Sequence, residues 1–338
     1  MARPSKDVLE IVDAVTIQSD TRCTVLGRPI EVDDDAPPGD ALHSLLAAEL
    51  YQRLYCRPSR LPRSTESDYH ATRSFVDTLS RANGGHGTWD PGWVVTAIGE
   101  GGGLVLHKHA DDLSLWAAPG QFRAAGGTVG VGSVGRLALG KELREMLPGF
   151  YTVLGDADMP GTSPESGAIV RLYWHLRAEA ASKWIQNVSQ SLNEAGIPFR
   201  AKVLNSPSAY SRADAGVLYI TASDYGAVTS PLAAVYRSIA DDLRPATPMF
   251  TKQLVPGLAV AEDPGDGSSF GQHRCGLVAD GLLSAHEEGR TARSDVADAI
   301  ALRFAEEGLR LGQAWLSHGS RRRYTWPTRS DGKTIAGP

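Results

Sequence analysis

Cysteine is scarce in this sequence: a chain of 338 residues holds three, Cys23, Cys56 and Cys275. No two form a CxxC pair, and the odd count argues against a disulfide framework. A reducing compartment is therefore expected. Long apolar runs are missing as well. No stretch reaches the roughly 18 apolar residues of a membrane helix, and residues 1–15 are too charged for a secretory leader. These absences predict a cytoplasmic protein with no membrane partner. Positive charge is not in excess either. The net charge of -5 supplies no bulk field to recruit nucleic acid or an anionic surface, so any anion must be met by a local cluster. What is present is ordinary: 42% hydrophobic and 22% charged residues, the balance of a globular protein. A chain this long buries a core without crosslinks.

Periodicity divides the chain unevenly. Helical spacing appears at 7–18 (Val8, Ile11, Val12, Val15), at 40–56 (Leu42, Leu45, Leu46, Leu50, Leu54) and at 68–82. Pro-rich stretches at 28–39 and 57–67 read as loops. Short strands follow at 93–98, 104–108 and 113–117, separated by Gly and Asp turns. The segment 126–135 is Gly-rich, and 136–146 reads as a helix. Beyond it come a strand at 168–176, a helix at 179–195 closed by Gly196, strands at 198–204 and 215–221, and a helix to about 243. A strand at 249–254, a loop at 256–270 and helices at 271–286 and 294–316 complete the pattern. Without a strict βαβ alternation, the expected fold is α+β: a largely antiparallel central sheet with packed helices, preceded by a helical N-terminal region. The expected divisions are a helical region at 1–90, an α+β domain at 91–317 and a basic, flexible tail at 318–338.

Several local motifs point to chemistry. Gly130, Gly132 and Gly135 match GxGxxG, with Asp156 about 20 residues on, the outline of a dinucleotide fingerprint. The residues before it are not a buried strand, and 36 glycines in the chain make a Gly-rich hairpin the competing reading. The run from Gly135 to Lys141 resembles a phosphate loop, but Glu142 stands where the Ser or Thr should be. His107 and His109 share one face of a strand without an evident third metal ligand. Glu262, Asp263 and Asp266 do not follow the spacing of a calcium loop. His273 and Arg274 sit in the first turn of an expected helix, where cations are unfavourable unless an anion answers them. Pairing of Arg274 with Glu262 or Asp263 is the alternative there. Arg171, Arg200, Lys202 and Lys252 lie on expected strands, and Arg212 just before one. Inward charges on strands are costly unless paired, so their convergence would require a multiply charged anion.

The segments VRLYWHL at 170–176, PFRAKVLNSPSAYSRADAGVLYI at 198–220, MFTKQLVPGLAVAEDP at 249–264 and SFGQHRCGLVADGLL at 269–283 resemble the HopA-type effector family of type III effectors. The resemblance spans 168 to about 285; residues 1–90 carry none of it. Similar proteins occur in clusters for ribosomally made, modified peptides, including class V lanthipeptides and thioamitides. There they look like the lyase partner of a separate phosphotransferase-like kinase. The resemblance therefore implies a lyase that removes phosphate from phosphoserine or phosphothreonine of a precursor peptide, leaving dehydroalanine or dehydrobutyrine. The chain has no kinase motif, so the kinase would be another protein.

Such an elimination calls for a base at the Cα proton, cations on the leaving phosphate and an acid. On this reading Lys202 is the base and His273 the acid. Arg171, Arg212, Lys252 and Arg274 bind phosphate, with Lys108 in reserve. Tyr210 and Asp214 orient Arg212, and Glu262 supports the neighbouring loop. No metal or cofactor is expected. The competing readings are a non-catalytic phosphopeptide- or leader-binding partner of the kinase, and a translocated HopA-like effector.

Overall fold

The structure is a computed structural model. It describes residues 5–32, 40–58, 68–109, 112–144, 147–157 and 168–327. The chain opens with helix α1 (Lys6–Ala14), capped by the Ser5 hydroxyl, which accepts from Val8 N at 3.3 Å. A small antiparallel sheet follows, β1 (Val15–Ile17), β2 (Arg22–Val25) and β3 (Arg28–Glu31). Part of the stretch expected as a loop at 28–39 is thus a strand; positions 33–39 and 59–67 of the two Pro-rich stretches lie outside the described residues. Helix α2 (Asp40–Leu50) runs into a π-helical turn at Tyr51–Tyr55, and α3 (Asp68–Ala82) ends this part.

A five-stranded antiparallel sheet comes next: β4 (Thr88–Ile98), β5 (Leu104–Lys108), β6 (Leu113–Ala117), β7 (Phe122–Ala124) and β8 (Val134–Leu139), in the order β6-β5-β4-β8-β7. Its small core is Trp93, Val95, Leu104, Leu106, Ala117, Phe122 and Leu137. The Gly-rich segment is the hairpin loop joining β7 to β8. Gly135 lies flat against the neighbouring strand, where a Cβ would come within 2.1 Å of the Arg123 carbonyl oxygen. No helix follows it, so the dinucleotide and phosphate-loop readings fall. The helix expected at 136–146 is strand at 136–139 and 142–143, and 145–146 lie outside the described residues: Leu137 is buried and its neighbours Arg136 and Ala138 point the other way, an alternation that a short apolar run does not distinguish from a helical stripe.

The central sheet has seven strands, all antiparallel to their neighbours: β9 (Glu142–Leu143), β10 (Phe150–Leu154), β11 (Ile169–Trp174), β12 (Arg200–Leu204), β13 (Gly216–Thr221), β14 (Lys252–Val255) and β15 (Leu258–Glu262). Their order is β14-β15-β11-β13-β12-β10-β9. Helix α4 (Ala181–Glu194) buries Trp184, Ile185, Val188 and Leu192 as one stripe. With α5 (Tyr225–Ile239), it covers the face carrying Val170, Leu172, Trp174, Leu218 and Val260. The opposite face, with Tyr173, Val217, Ala259 and Ala261, is covered by α6 (Phe270–Glu287), α7 (Arg293–Glu306) and the N-terminal α1 and α2. The sheet is therefore the middle of three layers, and chain from both ends builds one of the outer two.

Candidate functional site

Register decides which side chains meet. In an antiparallel pair, directly opposed residues share a face, as do residues two apart on one strand. Arg171 opposes Tyr219, and Tyr219 opposes Arg200. One row on, Tyr173 opposes Val217, Val217 opposes Lys202, and Lys202 opposes Thr152. Arg171, Tyr173, Arg200, Lys202, Tyr219 and Thr152 thus all project from the face beneath α6. The aromatic rings bind the set together: the Arg171 guanidinium lies 5.4 Å from the Tyr219 ring centre, and the Lys202 ammonium 5.8 Å from it. Lys202 also sits 4.3 Å over the ring of Phe150. A π face attracts a cation, more strongly where water is partly excluded.

Arg212 joins this face from the loop before β13. Its Nε and Nη2 donate to the two carboxylate oxygens of Asp214, both at 2.7 Å, and Nη2 also donates to the Tyr51 hydroxyl at 3.0 Å. Tyr51 donates in turn to Asp214 at 3.1 Å. Asp214 is buried. Burial alone would raise its carboxyl, but Arg212, with lesser help from Lys202 and Tyr51, overrides it and holds the group below the ordinary carboxylate value. The same burial, reinforced by Asp214, pushes the Tyr51 hydroxyl up, which keeps it a donor. Tyr51 stands on the π-helical turn and stacks on Tyr55 with ring centres 5.2 Å apart. Such turns re-aim side chains and recur at functional sites.

Arg171 is buried, and its Nε donates to Asp263 at 2.7 Å; Nη2 reaches the same carboxylate and the Ser268 carbonyl, the latter at 3.1 Å. Arg171 and Arg212 are thus each matched to a carboxylate. Lys202 differs: among the described residues its ammonium has no hydrogen-bond partner. The arrangement offers, on one side of the sheet, one primary amine without a hydrogen-bond partner among the described residues and two fixed guanidinium groups, the amine against aromatic rings.

The other expected site residues lie elsewhere. Lys252 opposes Val260, which opposes Leu172, so it belongs to the face under α4 and α5. There it donates to the Tyr324 carbonyl at 2.6 Å. Glu262, fully buried on that same face, accepts from Ser317 N at 2.8 Å, the Ser320 hydroxyl at 2.7 Å and the Tyr324 hydroxyl at 2.6 Å. Together these two residues pin the basic tail, expected to be flexible from residue 318, as far as Tyr324; residues 328–338 lie outside the described ones. Arg274 is buried and donates to the carbonyls of Ala314 (2.9 Å) and Leu316 (3.1 Å). Burial lowers it to about 10. It anchors the chain after α7 rather than pairing with Glu262 or Asp263. The start of α6 is satisfied by its own capping box, Ser269 with Gln272. His273, in that turn, lies 3.8 Å from Asp266 and 2.9 Å from Arg274 Nη1. Burial, then Arg274, lowers its imidazole below the ordinary value. Lys108 pairs with Asp90 at 2.8 Å in the five-stranded sheet. Tyr210 donates its hydroxyl to the Leu204 carbonyl at 2.7 Å rather than holding Arg212; of the two expected residues it is Asp214 that bonds Arg212.

Sequence reading missed Tyr51, Phe150, Thr152 and Tyr219. Alternation in β13 was a signal for Tyr219; a π turn announces itself in no residue pattern, so Tyr51 had none. Among the described residues, no group of three or more His, Cys, Asp or Glu is arranged to hold a metal, and no helix is long and apolar enough to cross a membrane. A cavity of about 450 Å³ lies on the other side of the molecule, between the start of α5 and Arg322–Thr325, and none of Arg171, Lys202 and Arg212 lines it.

No curated protein matches the chain. Two solved structures are similar, both effector proteins from Pseudomonas syringae. One, from pathovar tomato strain DC3000, is 16% identical with a TM-score of 0.45 over 82% of this chain and 95% of its own. The other, from pathovar syringae strain 61, is 14% identical with a TM-score of 0.45 over 82% of this chain and 97% of its own. A profile of the HopA1 effector protein family matches residues 143–314, just over half of the 338 residues. That span runs from the second residue of β9 past α7 and holds Arg171, Lys202 and Arg212: the chain belongs to the HopA1 effector protein family.

Proposed function

We propose that this HopA-like protein binds a phosphorylated serine or threonine of a peptide in the Arg171–Lys202–Arg212 site and eliminates the phosphate. The observation that carries this reading is the Lys202 amine, without a hydrogen-bond partner among the described residues, on a face shared with those two arginines. As a neutral amine, Lys202 takes the Cα proton. The C–H electron pair becomes the new double bond to Cβ, and the Cβ–O bond breaks with its pair leaving on phosphate. Arg171 and Arg212 lower the cost of that negative charge. Each keeps one guanidinium nitrogen, Nη1, outside the hydrogen bonds described above, so phosphate need not displace Asp263 or Asp214. Arg200, exposed two residues from Lys202, adds charge at the rim. His273 remains the proposed acid for its titratable imidazole; it lies 3.8 Å from Asp266, in the loop that Arg171 holds at Asp263 and Ser268. The peptide would come from a separate kinase acting on a precursor.

A second reading has its own support. Both arginines already carry carboxylate partners, which suits a binder as well as an enzyme, and the family is named for effectors. On that reading the site holds a phosphorylated segment of a partner without chemistry. Incubation with phosphorylated precursor peptide, followed by mass spectrometry, separates the two. Loss of phosphoric acid by the wild type, abolished in Lys202→Ala and reduced at least about tenfold in His273→Ala, is expected. Binding without mass loss selects the second reading.

A further inference from the structure

Thr152 is an anomaly on the site face. It is 8% exposed, and its hydroxyl oxygen is buried with no hydrogen-bond partner. Buried hydroxyls nearly always find one, and an exception asks for a reason. Its place supplies one. Thr152 stands directly across the strand pair from Lys202, on the same face. Two residues back on β10, also on that face, is Phe150, whose ring now holds the ammonium at 4.3 Å. A π ring holds a cation through its charge; it has no such hold on a neutral amine. A lysine that works as a base must pass through the neutral state, and its lone pair then needs a donor.

We propose that Thr152 is a positioning residue for Lys202: its hydroxyl donates to the neutral amine, while Phe150 holds the protonated one. This rests on the reading of Lys202 as the base. The side chain then has two stations about one residue pair apart, within reach of its four-carbon stem. After the amine takes a proton its lone pair is gone, the Thr152 bond is lost, and the ammonium returns to the ring. The charged groups facing Lys202 are Arg200 on its own strand, Arg171 on β11, and the Arg212–Asp214 pair. The phenols of Tyr219, Tyr173 and Tyr51 face it as well. All of these stay in place in the variants below.

The test reads Lys202 directly in the full chain. Its amine is acylated across a pH series, and modification of the Lys202 peptide is followed by mass spectrometry. Thr152→Val, close to isosteric, removes a bond made only by the neutral amine, so the labelling midpoint moves up by about half to one pH unit. Phe150→Leu removes a contact made only by the ammonium, so the midpoint moves down by about half a pH unit. Thr152→Ser restores the wild-type midpoint. Opposite movement in the first two variants, with rescue by Ser, supports the proposal; an unmoved or lowered midpoint in Thr152→Val overturns it. Phosphopeptide turnover is measured alongside. Opposite midpoint shifts in a protein that releases no phosphate would sustain the Thr152–Lys202 coupling and remove the lyase reading. Turnover by the wild type, with the Thr152→Val midpoint and acid limb unmoved, would do the reverse.

Discussion

Asp214 is the residue on which the site's charge balance turns. It is a carboxylate held ionised in a buried place because Arg212 grips it with two nitrogens and Tyr51 donates to it. Replacing it with Asn keeps the shape and leaves Arg212 unmatched. A fully buried pair broken this way costs about 3–5 kcal/mol. Arg212 retains 23% of its side-chain exposure, so about 2 kcal/mol is expected, read as a lower melting temperature. The pH dependence has a definite sign. The folded carboxyl sits below its ordinary value, so its contribution is complete above about pH 4, where the unfolded chain also ionises. It is lost as pH falls through the lower folded value. The gap in melting temperature between wild type and Asp214→Asn should therefore be full at pH 7 and close in acid. A gap that persists unchanged at pH 2–3 would contradict the assignment.

At the scale of elements, the sequence announced more than it located. The stripe Trp184, Ile185, Val188, Leu192 and the runs around Arg171, Lys202 and Tyr219 showed where α4, β11, β12 and β13 would be, because a sheet covered on both faces demands apolar residues throughout. Arg171 with Tyr173 and Arg200 with Lys202 were legible as same-face pairs by alternation. That all four lie on one face was not, since strand order and register are set by contacts between residues 13 to 92 positions apart. Lys252 illustrates the limit: one residue of register separates the Arg171–Lys202 face from the opposite core, and Lys252 falls on the side away from them. What Lys252 and Glu262 hold instead is the segment 316–324. Tyr324→Phe removes a bond to a buried carboxylate and should cost about 1.5–3 kcal/mol. Trypsin should then cut faster at Arg321, Arg322 and Arg323, by which the loosening can be timed against wild type. The hairpin turn between β14 and β15 is similarly exacting. Gly257 has φ +74, and a Cβ there would come within 2.5 Å of the Arg244 carbonyl, so Gly257→Ala should lower the melting temperature by an amount matching at least about 1 kcal/mol.

On the scale of the whole molecule, the proposed site and much of the apolar core share one layer. Helices α1 and α2 come from the start of the chain and α6 and α7 from its last third, yet they form a single apolar cluster over the site face. Leu46, fully buried in α2, touches no proposed substrate group. Leu46→Ala should nonetheless cost about 2–5 kcal/mol through the cavity it leaves. It should also weaken phosphopeptide binding, because α2 runs straight into the turn that aims Tyr51 at Arg212. Binding by the surviving folded fraction, measured by titration calorimetry well below its melting temperature, tests that link; unchanged affinity would uncouple the helix from the site.

The π turn at Tyr51–Tyr55 has a consequence for how the gene product must be made. The stretch shared with the family ends at 314 and begins at 143, so the tyrosine that steadies Arg212 is encoded outside it. A shortened protein carrying only the shared stretch would keep α6 and α7 but lose α1, α2 and the turn, so that Phe270 would emerge from the ribosome without the Tyr55 ring beside it and the second arginine half supported. Expressed alone it should precipitate, and adding back residues 1–142 as a separate polypeptide should recover soluble material only if the two pieces can still find each other.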